Sequence, residues 1–114
     1  MRINWSRAEI ILVCDLVARN GWRELRPNDE NLIALSAILR NRREHPQSLR
    51  STDFRNVNSV SRKSADIMTA HPSYPRESTK GGQLTYEVVQ DFVRDPFKMH
   101  AQALALRRNP DSQF

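Results

Sequence analysis

The segment "WSRAEIILVCDLVARNG", residues 5–21, constrains the fold more than any other part of the chain. Ser6 and Glu9 have the spacing of a capping box, in which two side chains satisfy each other's backbone N–H groups at a helix start. Trp5, just ahead of the cap, is placed to staple onto Ile10. Ile10, Val13, Cys14 and Val17 recur at helical spacing, and Ile11, Leu12 and Leu16 widen the apolar stripe to cover most of the helix. Asn20-Gly21 supplies the stop. A helix apolar on most sides must run through the middle of a fold, with other elements wrapped around it.

Those other elements also read as helices. Asn28 or Asp29 caps "ENLIALSAILR", whose buried face is Leu32, Leu35, Ile38 and Leu39, and which ends among Arg40, Arg42 and Arg43. After the loop "HPQSLRSTDF", the stretch "RNVNSVSRKSADIMTA" predicts a third helix with Val57, Val60, Ile67 and Met68 inward and Arg55, Arg62 and Lys63 outward. A loop over 71–83 ends in "KGG". Thr85 is then expected to cap a helix whose apolar face is Val88, Val89, Phe92 and Val93. Asp95-Pro96 restarts the chain as a last helix, with Phe97, His100, Ala101, Leu104 and Ala105 expected inward. Residues 109–114 read as a frayed tail. The fold class is therefore all-α: one compact domain over 1–114, about five helices, with a long loop between the third and fourth.

Length and composition agree, since 114 residues suffice for one modest core. No window approaches an apolar membrane span, and the N-terminus lacks the apolar run of a signal peptide. The single cysteine, Cys14, excludes an intramolecular disulfide and fits a reducing, cytoplasmic setting, with the thiol in the core. Trp22 is expected to close that core.

The net charge of +5 becomes informative once it is localised. Residues 1–39 and 64–114 are each balanced, whereas 40–63 holds seven bases against two acids. Such concentration makes a patch that attracts polyanions, and arginine's planar fork suits phosphate. Enzymatic readings lack parts. His45, His71 and His100 form no metal-ligand spacing, Cys14 has no evident base, and "KGG" is far short of a phosphate-binding P-loop. No cofactor or metal is expected, and no catalysis.

The stretch "HPSYPREST", 71–79, is the other unusual feature. Two prolines stiffen a loop that carries Tyr74 and is followed by Arg76 and Lys80. Either Tyr74 packs back onto the core, or Tyr74 and Pro75 wall a small apolar depression beside a cationic surface. Such a depression suits a weakly hydrated group on a nucleic acid, a base methyl or a sulfur, rather than a phosphate oxygen.

The order "WSRAEIILVCDLVARNGW", "NLIALSAILR", "FRNVNSVSRKSADI", "HPSYP" and "GGQLTYEVVQDFVRDPFKMHAQALALR" resembles the sulfur-binding domain of McrA-like HNH restriction endonucleases, over roughly residues 4–108. The resemblance implies an α-helical module that binds phosphorothioate-modified double-stranded DNA and seats the sulfur in a shallow apolar cavity. It maps that cavity onto Tyr74, Pro75 and Ser78. Ser78 stands where an alanine is expected, and Val57 where the related run has proline. Around the cavity, Arg50, Arg55, Arg76 and Lys80, with His71, Arg62 and Lys63, are the candidate DNA contacts. A nuclease domain would lie on another segment or partner. A reader of modified cytosine and a protein-interaction module remain the alternatives.

Overall fold

The computed structural model describes residues 3–79 and 81–111. Among them are five α-helices and no strand: α1 Arg7–Arg19, α2 Glu30–Asn41, α3 Val57–Ala70, α4 Gln83–Arg94 and α5 Pro96–Arg108, with one 3-10 turn at Gln47–Leu49. None is long and apolar enough to cross a membrane. Helix α1 is the axis of the domain. Every residue from Ala8 to Val17 is buried, and α2, α3, α4 and α5 all pack against it.

Local chemistry sets the helix ends. The capping box forms: the Ser6 hydroxyl accepts from the Glu9 N–H at 3.1 Å, and the Ser6 N–H donates to the Glu9 carboxylate at 2.9 Å. Trp5 packs on the core beside Ile10. Asp29 caps α2, Asn56 caps α3 and Asp95 caps α5 with Pro96 in its first turn. Gly21 takes φ 67 to end α1, and Trp22 follows it at φ 60, half-buried against the core. Cys14 is fully buried, and its thiol is pushed well above the usual range by burial and by the neighbouring Asp15 charge.

Several expectations are corrected. Thr85 does not cap α4, which begins two residues earlier with Gly82 at the cap; the Thr85 hydroxyl donates to the Gly81 carbonyl at 2.8 Å. Val93 is exposed. The inward face of α5 is Met99, Ala103 and Leu106, while Phe97, Ala101 and Leu104 face outward. His100 is half-exposed, its ring bonded to Asp15 at 2.8 Å. Residues 109–111 are tethered, because the Arg43 N–H donates to the Pro110 carbonyl and Asp111 pairs with Arg43. The remaining tail residues, 112–114, lie outside the described part.

The largest correction concerns charge. Arg55 and Lys63, expected outward on α3, are buried, and so is Arg42. The Arg55 guanidinium forks onto Glu9 at 2.7 and 2.9 Å and donates to the carbonyls of Ile3 and Asn4. It lies between the Trp5 ring, 4.1 Å from the centroid, and the Phe54 ring at 4.6 Å. Its backbone sits at φ 49, with its carbonyl accepting from the buried Ser36 hydroxyl at 2.7 Å.

Burial alone would raise the Glu9 pKa, but hydrogen bonds from Arg55 and the Ser6 N–H, the Arg55 charge and His45 together hold it below the ordinary value of 4.5. A depressed folded pKa confers stability above the unfolded value that is lost as pH falls through the folded one. Urea midpoints should therefore be flat near neutrality and drop below about pH 4.5, and in Glu9→Gln that acid limb should shrink. Arg55→Met, which strands the buried carboxylate, should cost about 3–5 kcal/mol in urea unfolding, with partial recovery on adding Glu9→Leu.

Candidate nucleic-acid interface

Positions 59, 62, 63 and 66 fall on one side of α3, facing the start of α4 across a cleft of about 560 Å³. Ser59, Arg62, Lys63 and Asp66 line it from α3, and Asn4, Trp5 and Arg55 close one end. Gly81, Gly82 and Gln83 form the opposite wall. The α4 terminus opens onto this cleft for a reason readable in its residues. Gly82 takes φ 90, has no side chain, and leaves the helix without a side-chain cap. A Cβ on Gly81 would come within 3.0 Å of the Asp66 Cβ, so glycine is what lets α4 begin hard against α3. The result is the positive end of a helix dipole with first-turn N–H groups on the cleft wall.

Lys63 lies at the bottom, 8% exposed, with Nζ 3.4 Å from the Thr85 hydroxyl and 3.7 Å from the Asp66 carboxylate. Burial pulls its pKa below the usual lysine value, and Asp66 only partly offsets this. Arg62 reaches solvent at the rim. The half-buried Trp5 ring, 5.6 Å from the Lys63 nitrogen, supplies an apolar wall. The cleft thus combines a buried and an exposed cation, an open helix N-terminus, an aromatic face and the Asp66 carboxylate, and the first two are groups with which tetrahedral anions are held.

The loop between α3 and α4 runs beside this cleft. Its far end is pinned by Thr79, whose N–H donates to the Thr69 hydroxyl at 3.0 Å and whose hydroxyl donates to Asp66. At its near end His71 holds Ser73 through Nδ1, and its ring tilts against Trp22 with centroids 4.5 Å apart. Between these anchors Tyr74 is half-buried, its N–H donating to the His71 carbonyl at 3.0 Å, and Pro75 and Arg76 are exposed.

Of the residues expected at the site, the cleft gathers Arg62, Lys63 and Arg55, though the Arg55 guanidinium is committed to Glu9. Ser78 lines a hollow of about 260 Å³ adjoining the cleft, shared with Asp66, Gly81 and Gly82. Tyr74 and Pro75 line neither of these two hollows, so of the three expected cavity residues it is Ser78 that sits at the edge of the cleft. His71 turns away toward Trp22. Arg50 donates to the carbonyls of Arg40, Arg42 and His45, closing off the end of α2. Lys80 lies outside the described residues. Trp5, Gly81, Gly82 and Gln83 join the site without having been singled out. A glycine pair ahead of a helix with no Ser, Thr, Asp or Asn at the cap was the available sign of an open N-terminus.

Elsewhere, Glu9, Glu44 and His45 bring ligand atoms within 4.8 Å of one another, but Glu9 is held by Arg55 and Glu44 pairs with Arg42 at 3.0 Å. Comparison with family models, curated proteins and solved structures finds no match to this chain.

If the cleft takes anions, inorganic phosphate should raise the melting temperature of the wild type and do so much less for Lys63→Met. Lys63→Met also removes the cation beside Asp66, so the readout is the phosphate-induced shift of each protein against its own ligand-free melting temperature. An anion favours the charged amine, so its affinity should fall as pH rises through the lowered lysine pKa, below 10.5.

Proposed function

We propose that this domain binds double-stranded DNA through its backbone and reads a phosphorothioate in place of an ordinary phosphate, without cutting the strand. The observation that supports the reading most directly is the convergence of Arg62, Lys63 and the uncapped α4 terminus on one cleft. The loop that carries Tyr74, Pro75 and Arg76 ends beside the cleft, where the Thr79 hydroxyl donates to Asp66. In this reading the cleft takes one backbone phosphate. Arg62 and Arg76, both exposed and without an ion-pair partner among the described residues, take its neighbours.

The sulfur is the softer, less hydrated atom and goes to the apolar edge offered by Tyr74 and Pro75. Burying about 30–50 Å² of such surface contributes roughly 1 kcal/mol. Sparing an oxygen the loss of its water adds roughly 1–3 kcal/mol. Together these give a preference on the order of 30- to 900-fold. Phosphate contacts alone would give binding that is indifferent to sequence and steeply dependent on salt. Cleavage, in this scheme, belongs to a nuclease domain or subunit working with the module.

Fluorescence polarisation with two duplexes identical except for one stereodefined phosphorothioate tests the reading. The sulfur duplex should bind at least tenfold tighter at about physiological salt. Tyr74→Ala should bring the two affinities together while leaving weak, salt-sensitive binding. Arg62→Ala should weaken both duplexes alike and lower the salt slope by about one. Equal binding of the two duplexes by the wild type would remove the sulfur assignment and leave a general DNA binder. A preference for methylated cytosine would move the mark to the base.

A further inference from the structure

Helix α5 carries two apolar stripes of identical spacing. Met99, Ala103 and Leu106 pack into the core, and Phe97, Ala101 and Leu104 face solvent. Phe97 is 88% exposed, and Leu104 and the neighbouring Val93 of α4 are 38% and 44% exposed. Beside them opens a groove of about 460 Å³ lined by Ala18, Trp22, Phe92, Val93, Pro96 and Phe97. Across Arg19, which lines both, lies a second cleft of about 460 Å³ reaching Leu104 and Arg107. None of these residues lines the cleft at α4. Exposed apolar side chains in a row, with an open groove beside them, are what a protein surface shows where it meets another molecule.

The charge around the strip selects the occupant. Arg94 and Lys98 flank one end, Arg107 and Arg108 the other, and Arg19 stands between the two hollows. The nearby acids are already paired, and two of the cations with them: Asp15 with His100 and Arg19, Asp91 with Arg7 and Arg94, while Asp95 caps α5; Lys98, Arg107 and Arg108 have no ion-pair partner among the described residues. Arg107 is half-buried, and burial and the charge of Arg19 lower its proton affinity, with the Asp15 charge opposing them. A second copy lying antiparallel along α5 would set the Arg94–Lys98 end of one against the Arg107–Arg108 end of the other. DNA would match the cations but not an apolar row spanning about 10 Å.

We propose that the outer stripe of α5 and the groove beside it dock an amphipathic helix of a partner protein whose apolar side chains are flanked by acidic residues. One large apolar side chain enters the groove against Trp22 and Phe97, and an acidic residue a turn or two away meets Arg19 and Arg107. This face is separate from the DNA reading and stands whether or not that reading holds.

The test uses fluorescein-labelled helical peptides of about 15 residues with Phe or Leu at i, i+4 and i+7. One series has Glu at the flanking positions, one has Lys there, and one scrambles the Glu sequence. The Glu peptides should bind the whole chain and the other two series should not. Phe97→Ala should weaken binding roughly 25-fold, and Arg19→Glu should abolish it, while DNA affinity in both variants stays at the wild-type value. Equal binding of all three series, or of none, would overturn the proposal. So would a dimer that disappears in Phe97→Ala, which would make the occupant a second copy. Loss of DNA binding in folded Phe97→Ala would instead hand the face to DNA.

Discussion

The bidentate pair between Arg55 and Glu9 is the interaction on which the other parts depend. Glu9 belongs to the central helix, and Arg55 to the turn that leads into α3. The guanidinium also gathers the carbonyls of Ile3 and Asn4 and is clasped by the rings of Trp5 and Phe54. One side chain thus fixes the N-terminal segment, the start of α1 and the approach to α3 relative to each other. Its backbone adopts a left-handed conformation that a non-glycine residue keeps only when its surroundings over-determine it, and here the Ser36 hydroxyl holds the carbonyl in place. Trp5, one wall of the candidate cleft, stands where it does because Arg55 is under it. The same residue that builds the site is therefore poorly placed to act as a free cation within it.

Charge in this protein divides into an interior and an exterior population. The excess of bases over 40–63 suggested a single cationic face, yet Arg42, Arg55 and Lys63 are buried and Arg50 is spent on carbonyls. What reaches the cleft as usable positive potential is less than the sequence count: Arg62, the end of the Lys63 side chain, and the dipole of α4. A small number of well-placed donors favours selectivity over sheer affinity, because each buried cation keeps a residual demand for an anion that bulk charge does not. Burial lowers the proton affinity of Lys63, and Asp66 only partly offsets this.

The sequence told most where a single local rule decides. The capping box at Ser6, Asp95 ahead of Pro96 and the all-round apolar pattern of α1 are local or helix-wide signals, and each one formed. It told least where two arrangements share one pattern. In α5 the two stripes are offset by two residues, about 200° around the helix, so they occupy opposite faces with equal periodicity. Choosing the stripe with Phe97 was natural from side-chain size, and wrong because packing against α1 and α4 at close range accepted Met99, Ala103 and Leu106 instead. Arg55 and Lys63 misled for a related reason. Charged residues are placed outward by default, and nothing within α3 announces that Glu9, forty-six positions before Arg55, waits inside for one of them. The open start of α4 is marked by the absence of a capping side chain at Gly82, a weaker signal than the presence of one, which Thr85 offers three residues later.

The loop over 71–79 ties the two faces of the domain together. One end is fixed by the His71 ring against Trp22, in the apolar groove, and by the turn from His71 to Tyr74. The other is fixed by Thr79 on Thr69 and Asp66, beside the cationic cleft. Between those anchors the two prolines fix their own φ and restrict the residue before each, which lowers the entropy that the tip with Tyr74, Pro75 and Arg76 has to lose. On the proposed reading, a surface that tells one backbone atom from another gains from this, since binding energy not spent on ordering a loop remains available for contact. The stiffness of the loop is then a consequence of both faces at once: the groove secures its first residue and the cleft its last.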